Sequence, residues 1–441
     1  MNMKNQKKKF SCINLGCRVN LFESTAIIDQ MIKNGFKFTK DYKKSNICII
    51  NTCTVTSRAD SKCRNMINRA RKYAKVLVII GCYSQINSEY STLHGDIILG
   101  NKFKKQLPKL INAFYKHKRQ IVKVNNLSHE KEFEEFPVYS FCENTRAVIK
   151  IQDGCDFMCS YCLIPYARGR QRSLSHTKVL KTIKSLVSKN FYEIVLTGVN
   201  TAGYKDKNYT FYDLLKDIDK LYGNFRVRIS SIEPFQINKQ IIDLITKNKS
   251  RWVQEFHLCL QSANDKILKS MNRKYTINQF YELCKYIRIK NPLASITTDY
   301  IVGYNNETDQ IFKECVKNLK KINFSFINIF PYSVRKNTRG SFESNQIDTK
   351  TKFLRVKKIS ELANKCTKNY LNNFINKKVK VWFENSNLKN IQVGHSQYFF
   401  KVYVKTKKKL HNQLYDVLIN RNVDNKLFGR LVSSIQTKAN Y

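Results

Sequence analysis

The chain has 441 residues, with 79 Lys and Arg against 33 Asp and Glu and a formal net charge of +46. Its 42% hydrophobic and 12% aromatic content is globular rather than disordered, and the length allows two or three domains of about 100–200 residues each. No apolar run reaches the ~18–20 residues of a membrane span, and the basic start Met1 to Lys9 leads into Phe10–Asn14 rather than a long apolar signal segment, so a cytoplasmic chain with no membrane partner is expected.

From the N-terminus, Ser11–Leu15, Asn46–Thr52, Val76–Gly81 and Asp96–Leu99 read as short buried strands. Glu23–Asn34 has helical spacing and Gly35 as its stop, and Ser57–Ala74 reads as a second helix. This alternation predicts an open parallel α/β domain over residues 8–125. The polar stretch Asn125–Glu135, ending near Pro137, reads as a linker.

A second run of strands follows: Ala147–Gln152, Glu193–Thr197, Phe225–Ser230, Glu255–Leu260, Ser295–Val302 and Phe326–Phe330. Helical stretches Thr177–Lys189, Phe211–Tyr222, Asn278–Ile289 and Thr308–Ile322 fall between them. A full eight-stranded barrel takes about 250 residues, so a partial (β/α)6 barrel is expected within residues 140–370. Over residues 371–441 the pattern changes to polar–apolar alternation in Lys378–Glu384, Tyr398–Lys405 and Tyr415–Asn420. That predicts a small antiparallel, OB-like β-barrel of a kind that binds oligonucleotides. The charge excess points the same way, although a general richness in Lys and Asn accounts for about half of it.

Fourteen cysteines in a reducing compartment suggest metal binding more than disulfides. Cys155, Cys159 and Cys162 follow a strand and Gly154, on the catalytic face of such a barrel. Three close thiolates can hold three irons of a [4Fe–4S] cluster and leave the fourth open to a chelating molecule, whereas structural zinc normally wants four ligands. Cys17, Cys53 and Cys82 each sit just past a predicted strand of the first sheet. Ligands bind at the carboxyl ends of such strands, so these thiols should converge on a second cluster. Cys48, Cys63, Cys284, Cys315 and Cys366 read as packing, and so do Cys12, Cys142 and Cys259.

The stretch Lys150-Ile-Gln-Asp-Gly-Cys-Asp-Phe-Met-Cys-Ser-Tyr-Cys-Leu-Ile-Pro-Tyr-Ala-Arg-Gly-Arg-Gln-Arg-Ser173 resembles the methylthiotransferase branch of the radical S-adenosylmethionine enzymes. So do Asn14-Leu-Gly-Cys-Arg-Val-Asn20, Asn51-Thr-Cys-Thr-Val-Thr56, Arg58-Ala-Asp-Ser-Lys62, His257-Leu-Cys-Leu-Gln-Ser262, Met271-Asn-Arg-Lys-Tyr-Thr276, Thr298-Asp-Tyr-Ile-Val-Gly303 and Phe330-Pro-Tyr-Ser333. Val393-Gly-His-Ser396 resembles the RNA-binding TRAM barrel that ends such proteins. Two departures stand out: Cys259-Leu-Gln-Ser-Ala263 where the family has Pro-Leu-Gln-Ser-Gly, and Gly303-Tyr-Asn-Asn-Glu-Thr308 where it has Gly-Phe-Pro-Gly-Glu-Thr.

The resemblance implies two [4Fe–4S] clusters, on Cys17/Cys53/Cys82 and on Cys155/Cys159/Cys162, with S-adenosylmethionine as cofactor and methyl donor. It implies methylthiolation at adenine C2 of a tRNA nucleoside, position 37 of the anticodon loop. Electrons would come from a donor such as flavodoxin or ferredoxin. The motifs most resemble the subgroup acting on N6-threonylcarbamoyladenosine, with N6-isopentenyladenosine and a ribosomal-protein aspartate as alternative targets and a non-catalytic iron–sulfur RNA-binding protein as the rival class. By their places on barrel strands, Asn200, Glu233 and Asp299 are expected to face cofactor or substrate. Arg168, Arg170 and Arg172 are candidate phosphate contacts, and His257 reads as a hydrogen-bonded barrel residue.

Overall fold

A computed structural model of the chain describes residues 8–136, 145–386 and 388–435. The first unit is a six-stranded sheet in the order Lys37–Phe38, Lys9–Asn14, Ile47–Thr52, Val76–Gly81, Ile97–Leu99, Ile121–Lys123. All its pairings are parallel. Ile47–Thr52 and Val76–Gly81 are buried at every position, as a parallel sheet covered on both faces requires. The cover includes the helices Arg18–Lys33, Ser57–Arg71 and Leu107–His117. Thr56 starts the second of these by accepting a hydrogen bond from the Ala59 N–H.

The central unit has six parallel strands whose spatial order follows the chain. Arg146–Lys150, Glu193–Thr197 and Arg226–Ile229 pair in one ladder, and Glu255–His257, Ser295–Val302 and Phe326–Pro331 in another. Parallel bridges at Val227–Trp252 and Ile232–Leu258 join the two ladders. The result is the partial barrel expected, with its main apolar core between strands and outer helices. Its open side is plugged from the first unit: Phe22 and Ala26 on helix Arg18–Lys33 pack against Val148 and Val195 of the barrel.

The loop Gly303–Thr308 keeps its turn despite losing the family's Pro and second Gly. Asn306, where the family has Gly, takes φ +61°, a left-handed conformation that Asn tolerates better than most residues. Glu307 closes the loop by accepting the Gly303 N–H at 3.0 Å.

A 24-residue helix, Thr349–Asn372, leads to the last unit, a closed barrel of Lys378–Phe383, Ile391–Ser396, Lys401–Lys405, Lys426–Ile435 and Leu414–Val423. Two of its strands, Ile391–Ser396 and Lys426–Ile435, go beyond the three read from alternation. Both contain a glycine that blurs the period-two pattern: a Cβ on Gly394 would lie 2.6 Å from the Trp382 carbonyl, and one on Gly429 would lie 2.5 Å from the Leu418 carbonyl. No helix among the described residues is long and apolar enough to cross a membrane. Cys142 and Pro137 lie outside the described residues.

Candidate active site

Cys17, Cys53 and Cys82 stand just past the carboxyl ends of three neighbouring strands of the first sheet. The motif around Cys17 has a local cause. Asn14 Oδ1 accepts the Gly16 N–H at 3.1 Å, and Asn20 ties the turn to the next strand through Asn51 Oδ1 at 2.9 Å and the Thr52 carbonyl at 3.0 Å. Gly81 holds φ +103°, and a Cβ there would lie 2.7 Å from the Thr52 carbonyl, so glycine is needed for the exit towards Cys82. Burial pushes the Cys53 thiol up to about 12, with the neighbouring Cys82 and Cys17 adding repulsion. Enclosure also raises the Cys17 thiol, against the pull of Arg168. Cys17 itself is exposed, but on a cavity wall with protein around it.

Cys155, Cys159 and Cys162 lie on the loop after the short strand Gln152–Asp153. Gly154 takes φ +71° there, and a Cβ would sit 1.9 Å from the Arg170 carbonyl. The Cys155 N–H donates to the Gly169 carbonyl at 3.0 Å, and the Cys162 sulfur accepts the Ile164 N–H at 3.4 Å. Burial pushes Cys155 up to about 12 and raises Cys162 as well, with Cys159 adding repulsion in both cases. Thiols so placed become thiolates only against bound positive charge.

A tetrahedral zinc site, with Zn–S near 2.3 Å, would hold its sulfurs about 3.8 Å apart. Neither trio is that tight: among the described residues the one group with all donor atoms within 4.8 Å is His257, Cys259 and Asp299. Each trio offers three thiols, a donor set that suits a four-iron cube with one iron left for another ligand better than a closed four-ligand zinc site.

The sites expected on barrel strands separate into three surroundings. Glu233 is ion-paired with Arg273, whose Nη1 also lies 3.4 Å from the Cys159 sulfur and 3.4 Å from the Tyr161 hydroxyl. Burial raises the Glu233 carboxyl while Arg273 opposes the rise. Asn200 donates its backbone N–H to Gln152 Oε1 at 2.7 Å and its side-chain amide to Gln171 at 3.2 Å. Its side-chain Oδ1 is buried without a hydrogen-bond partner, an acceptor left open for a ligand. Asp299 faces His257 Nε2 at 3.3 Å and accepts from Asn328 at 2.9 Å. Burial alone would raise its carboxyl, but His257 holds it below the usual range. The Thr297 hydroxyl engages His257 Nδ1 at 3.0 Å.

Asp299 and His257 belong to the wall of a cavity of about 640 Å³ that runs through the barrel interior. Cys17 and Arg18 enter it from the first unit, Arg228 and Glu255 from the barrel, and Phe399, Lys401 and Lys426 from the C-terminal barrel. The site therefore draws on all three units, with a volume in the range of small-molecule pockets.

Arg168 and Arg172 are not phosphate contacts. Arg168 is 1% exposed and binds Glu23 and Asp153, each at 3.0 Å, and Asn20 at 3.1 Å. Arg172 is buried beside Asp153 at 3.5 Å, and only Arg170 reaches solvent. Lys104 and Lys150 complete the cluster on Glu23 at 2.5 and 3.2 Å. A charged group this deep needs several partners, and here they come from two units at once. Arg273, Arg18 and Glu23 were not singled out from the sequence. The acid on the apolar stripe of its helix and Lys150 within an apolar strand were the available signals.

Residues 149–319 match the profile described as "Radical SAM superfamily", and residues 9–100 that described as "Uncharacterized protein family UPF0004". A Bacillus subtilis (strain 168) protein named threonylcarbamoyladenosine tRNA methylthiotransferase MtaB is 33% identical over 92% of this chain and 92% of its own. The protein of that name from Aquifex aeolicus (strain VF5) is 35% identical over 80% of this chain and 87% of its own. Among solved structures, the radical S-adenosylmethionine methyltransferase TsrM from Kitasatospora setae shares the fold, with TM-score 0.54 at 14% identity over 73% of each chain. On the relatives' identity and coverage, the chain belongs to the radical S-adenosylmethionine methylthiotransferase family.

Proposed function

We propose that the protein is a tRNA methylthiotransferase that replaces the C2 hydrogen of N6-threonylcarbamoyladenosine 37, in the anticodon loop, with a methylthio group. Methylthiotransferases carry two [4Fe–4S] clusters and use S-adenosylmethionine. The observation that carries the reading is the pair of three-thiol sites, one at the strand ends of each α/β unit, held in one body by the buried Glu23–Arg168–Asp153 network. The substrate assignment rests on the names of the relatives and on the quoted motifs.

In this reading Cys155, Cys159 and Cys162 hold one cluster and Cys17, Cys53 and Cys82 the other. Bound there, the clusters would supply one-electron reducing power and sulfur, chemistry that the chain's own side chains lack and that an adenine C–H, with no acidic proton for a general base, requires. The protein's share is placement. Arg273 steadies Glu233 beside Cys159, leaving that carboxylate an acceptor for the cofactor's ammonium or ribose hydroxyls. Asn200 offers its open Oδ1 as a further acceptor. Asp299, oriented by His257 and Asn328, gives the cavity a fixed acceptor for an adenine N–H. The strongly basic C-terminal barrel supplies phosphate contacts in the cytoplasm, where a flavodoxin or ferredoxin would deliver electrons.

The test is an anaerobic assay of reconstituted protein with S-adenosylmethionine, reductant and tRNAs bearing either threonylcarbamoyl- or isopentenyl-adenosine, read by nucleoside mass spectrometry. Product is expected on the first tRNA alone. Cys159→Ala should abolish both product and 5′-deoxyadenosine while iron falls from about eight to about four atoms per chain. Cys53→Ala should lose the product at the same iron stoichiometry. Methylthiolation of the isopentenyl tRNA alone would overturn the substrate, and a fully loaded protein that never forms 5′-deoxyadenosine would overturn the enzyme.

A further inference from the structure

The charges lining the central cavity are unevenly satisfied. Four basic residues, Arg18, Arg228, Lys401 and Lys426, face two acids, Glu255 and Asp299. Arg228 is taken by Glu255, Nε to Oε2, at 2.5 Å and covers the Phe399 ring at 3.5 Å. Asp299 is taken by His257 and Asn328. Lys401 and Lys426 are exposed and come from the C-terminal barrel. Arg18 is different: its guanidinium makes no hydrogen bond or ion pair among the described residues and feels Glu255 and Asp299 only at longer range, yet it stands on the cavity wall with its side chain open to that space. An arginine this open inside a pocket already shared by three units is a cation awaiting an anion.

Its address narrows the anion. Arg18 is the residue after Cys17, a ligand of the auxiliary site. A purine reacting at C2 must bring that carbon to the sulfur held there. C2 and C6 flank the same ring nitrogen, N1, so a group on N6 lies along the edge that carries C2 and arrives beside the segment holding Arg18. Threonylcarbamoyl ends in a carboxylate, and a guanidinium grips a carboxylate through two parallel N–H···O bonds. Isopentenyl has nothing to offer it, and would leave the arginine desolvated without a partner.

We infer that Arg18 binds the carboxylate of the N6 substituent and makes the enzyme selective for an adenosine with an acidic side chain. The inference rests on the tRNA methylthiotransferase reading above. Arg228 walls the same space, but its charge is already answered by Glu255 and its face by Phe399, which leaves Arg18 as the cation open to the carboxylate. A backbone phosphate is the other anion Arg18 could meet, and the test separates the two.

Two anticodon stem-loop RNAs would be made, one with N6-threonylcarbamoyladenosine and one with the same group as its neutral carboxamide. Binding to the reconstituted protein is read by fluorescence anisotropy, and turnover by mass spectrometry. The native protein should prefer the acid by about 10–100-fold in Kd and kcat/KM, the range of a lost charged hydrogen bond. Arg18→Gln should erase most of that preference by weakening the acid alone, and Arg18→Lys, a charge without the fork, should restore part of it. Iron content and 5′-deoxyadenosine formation of the variants establish that both clusters are loaded. Equal handling of acid and amide by the native protein overturns the inference while leaving the methylthiotransferase reading intact. An Arg18→Gln effect equal on both RNAs also overturns it, and assigns Arg18 to a phosphate. Failure of the native protein to modify either RNA brings down the reading and the inference with it.

Discussion

Arg273 touches a carboxylate, a cysteine sulfur and a phenol at once, and nearly all of its side chain is buried, at 2% exposure. Its Nη2 also donates to the Cys259 carbonyl at 2.9 Å. Removing it would strand Glu233, 18% exposed, as a buried acid without a counter-charge. Arg273→Met is therefore expected to cost about 3–5 kcal/mol in urea unfolding and to weaken S-adenosylmethionine binding, while Arg273→Lys should recover much of the stability but less of the binding. A variant with unchanged unfolding midpoint would refute this account. The cysteines of this site were legible because their spacing is local and their chemistry narrow. Arg273 sat in a quoted motif without a role, since Glu233 is 40 residues away and Cys159 is 114. Cys259, read as packing, is buried, but its sulfur lies within 4.8 Å of the donor atoms of His257 and Asp299. Its sulfur therefore lies directly behind two residues that line the cavity.

Strand starts carry a second set of buried charges. Arg146, Glu193 and Arg226 begin or nearly begin the first three barrel strands, in register across the ladder. Glu193 is fully buried and meets Arg146 Nε at 2.7 Å and Arg226 Nε at 2.7 Å. Arg226 goes on to the His395 and Ser396 carbonyls of the C-terminal barrel, each at 3.3 Å. Burial alone would raise the Glu193 carboxyl, but the two guanidinium groups hold it at about 2. With the folded value depressed, its contribution is fully present above the unfolded value near 4.5 and is lost as pH falls towards 2. Glu193→Gln should thus cost about 3–5 kcal/mol at neutral pH. The gap to the native protein, followed by urea unfolding at each pH, should stay level from pH 8 to 5 and begin to close only below about 4.5. A gap already closing at pH 6 would point to a different titrating group. At this scale the sequence was most readable in the barrel: Glu193–Thr197 and Ser295–Val302 match their predicted limits because both are dense in the β-branched residues Ile, Val and Thr that favour strands. The C-terminal barrel was least readable, since strands holding Gly394 and Gly429 lose the alternation that reports a half-buried strand.

Across the molecule, two buried networks of charged side chains join the cysteine-bearing units among the described residues. One is the cluster of Glu23, Lys104, Lys150, Asp153, Arg168 and Arg172, and the other runs from Arg335 to Asp60 at 2.5 Å and Thr54 at 2.9 Å. Glu23 receives three cations, and its carboxyl is held far below the usual range by Arg168, Lys104 and Lys150 against the effect of burial. Glu23→Gln leaves Arg168 and Lys150 with Asp153 as their acid, and Lys104 with the Asn101 side-chain oxygen. It is expected to lower stability by about 3–5 kcal/mol and to split one unfolding transition into two as the first unit separates from the barrel. Differential scanning calorimetry checks both, and a single transition at the native temperature would refute the link. Fold class and strand–helix order are legible in the sequence because they depend on periodicity, and the two cysteine trios stand out there by spacing and strand-end position. The sequence also raised acid and lysine flags within apolar stripes without saying what they meet. Tertiary structure alone decided that Arg168 and Arg172 are internal rather than RNA-facing, that Glu233 answers to Arg273, and that Arg18 opens into a shared cavity. A charge is defined by its partners, and buried partners here lie up to 281 residues apart along the chain.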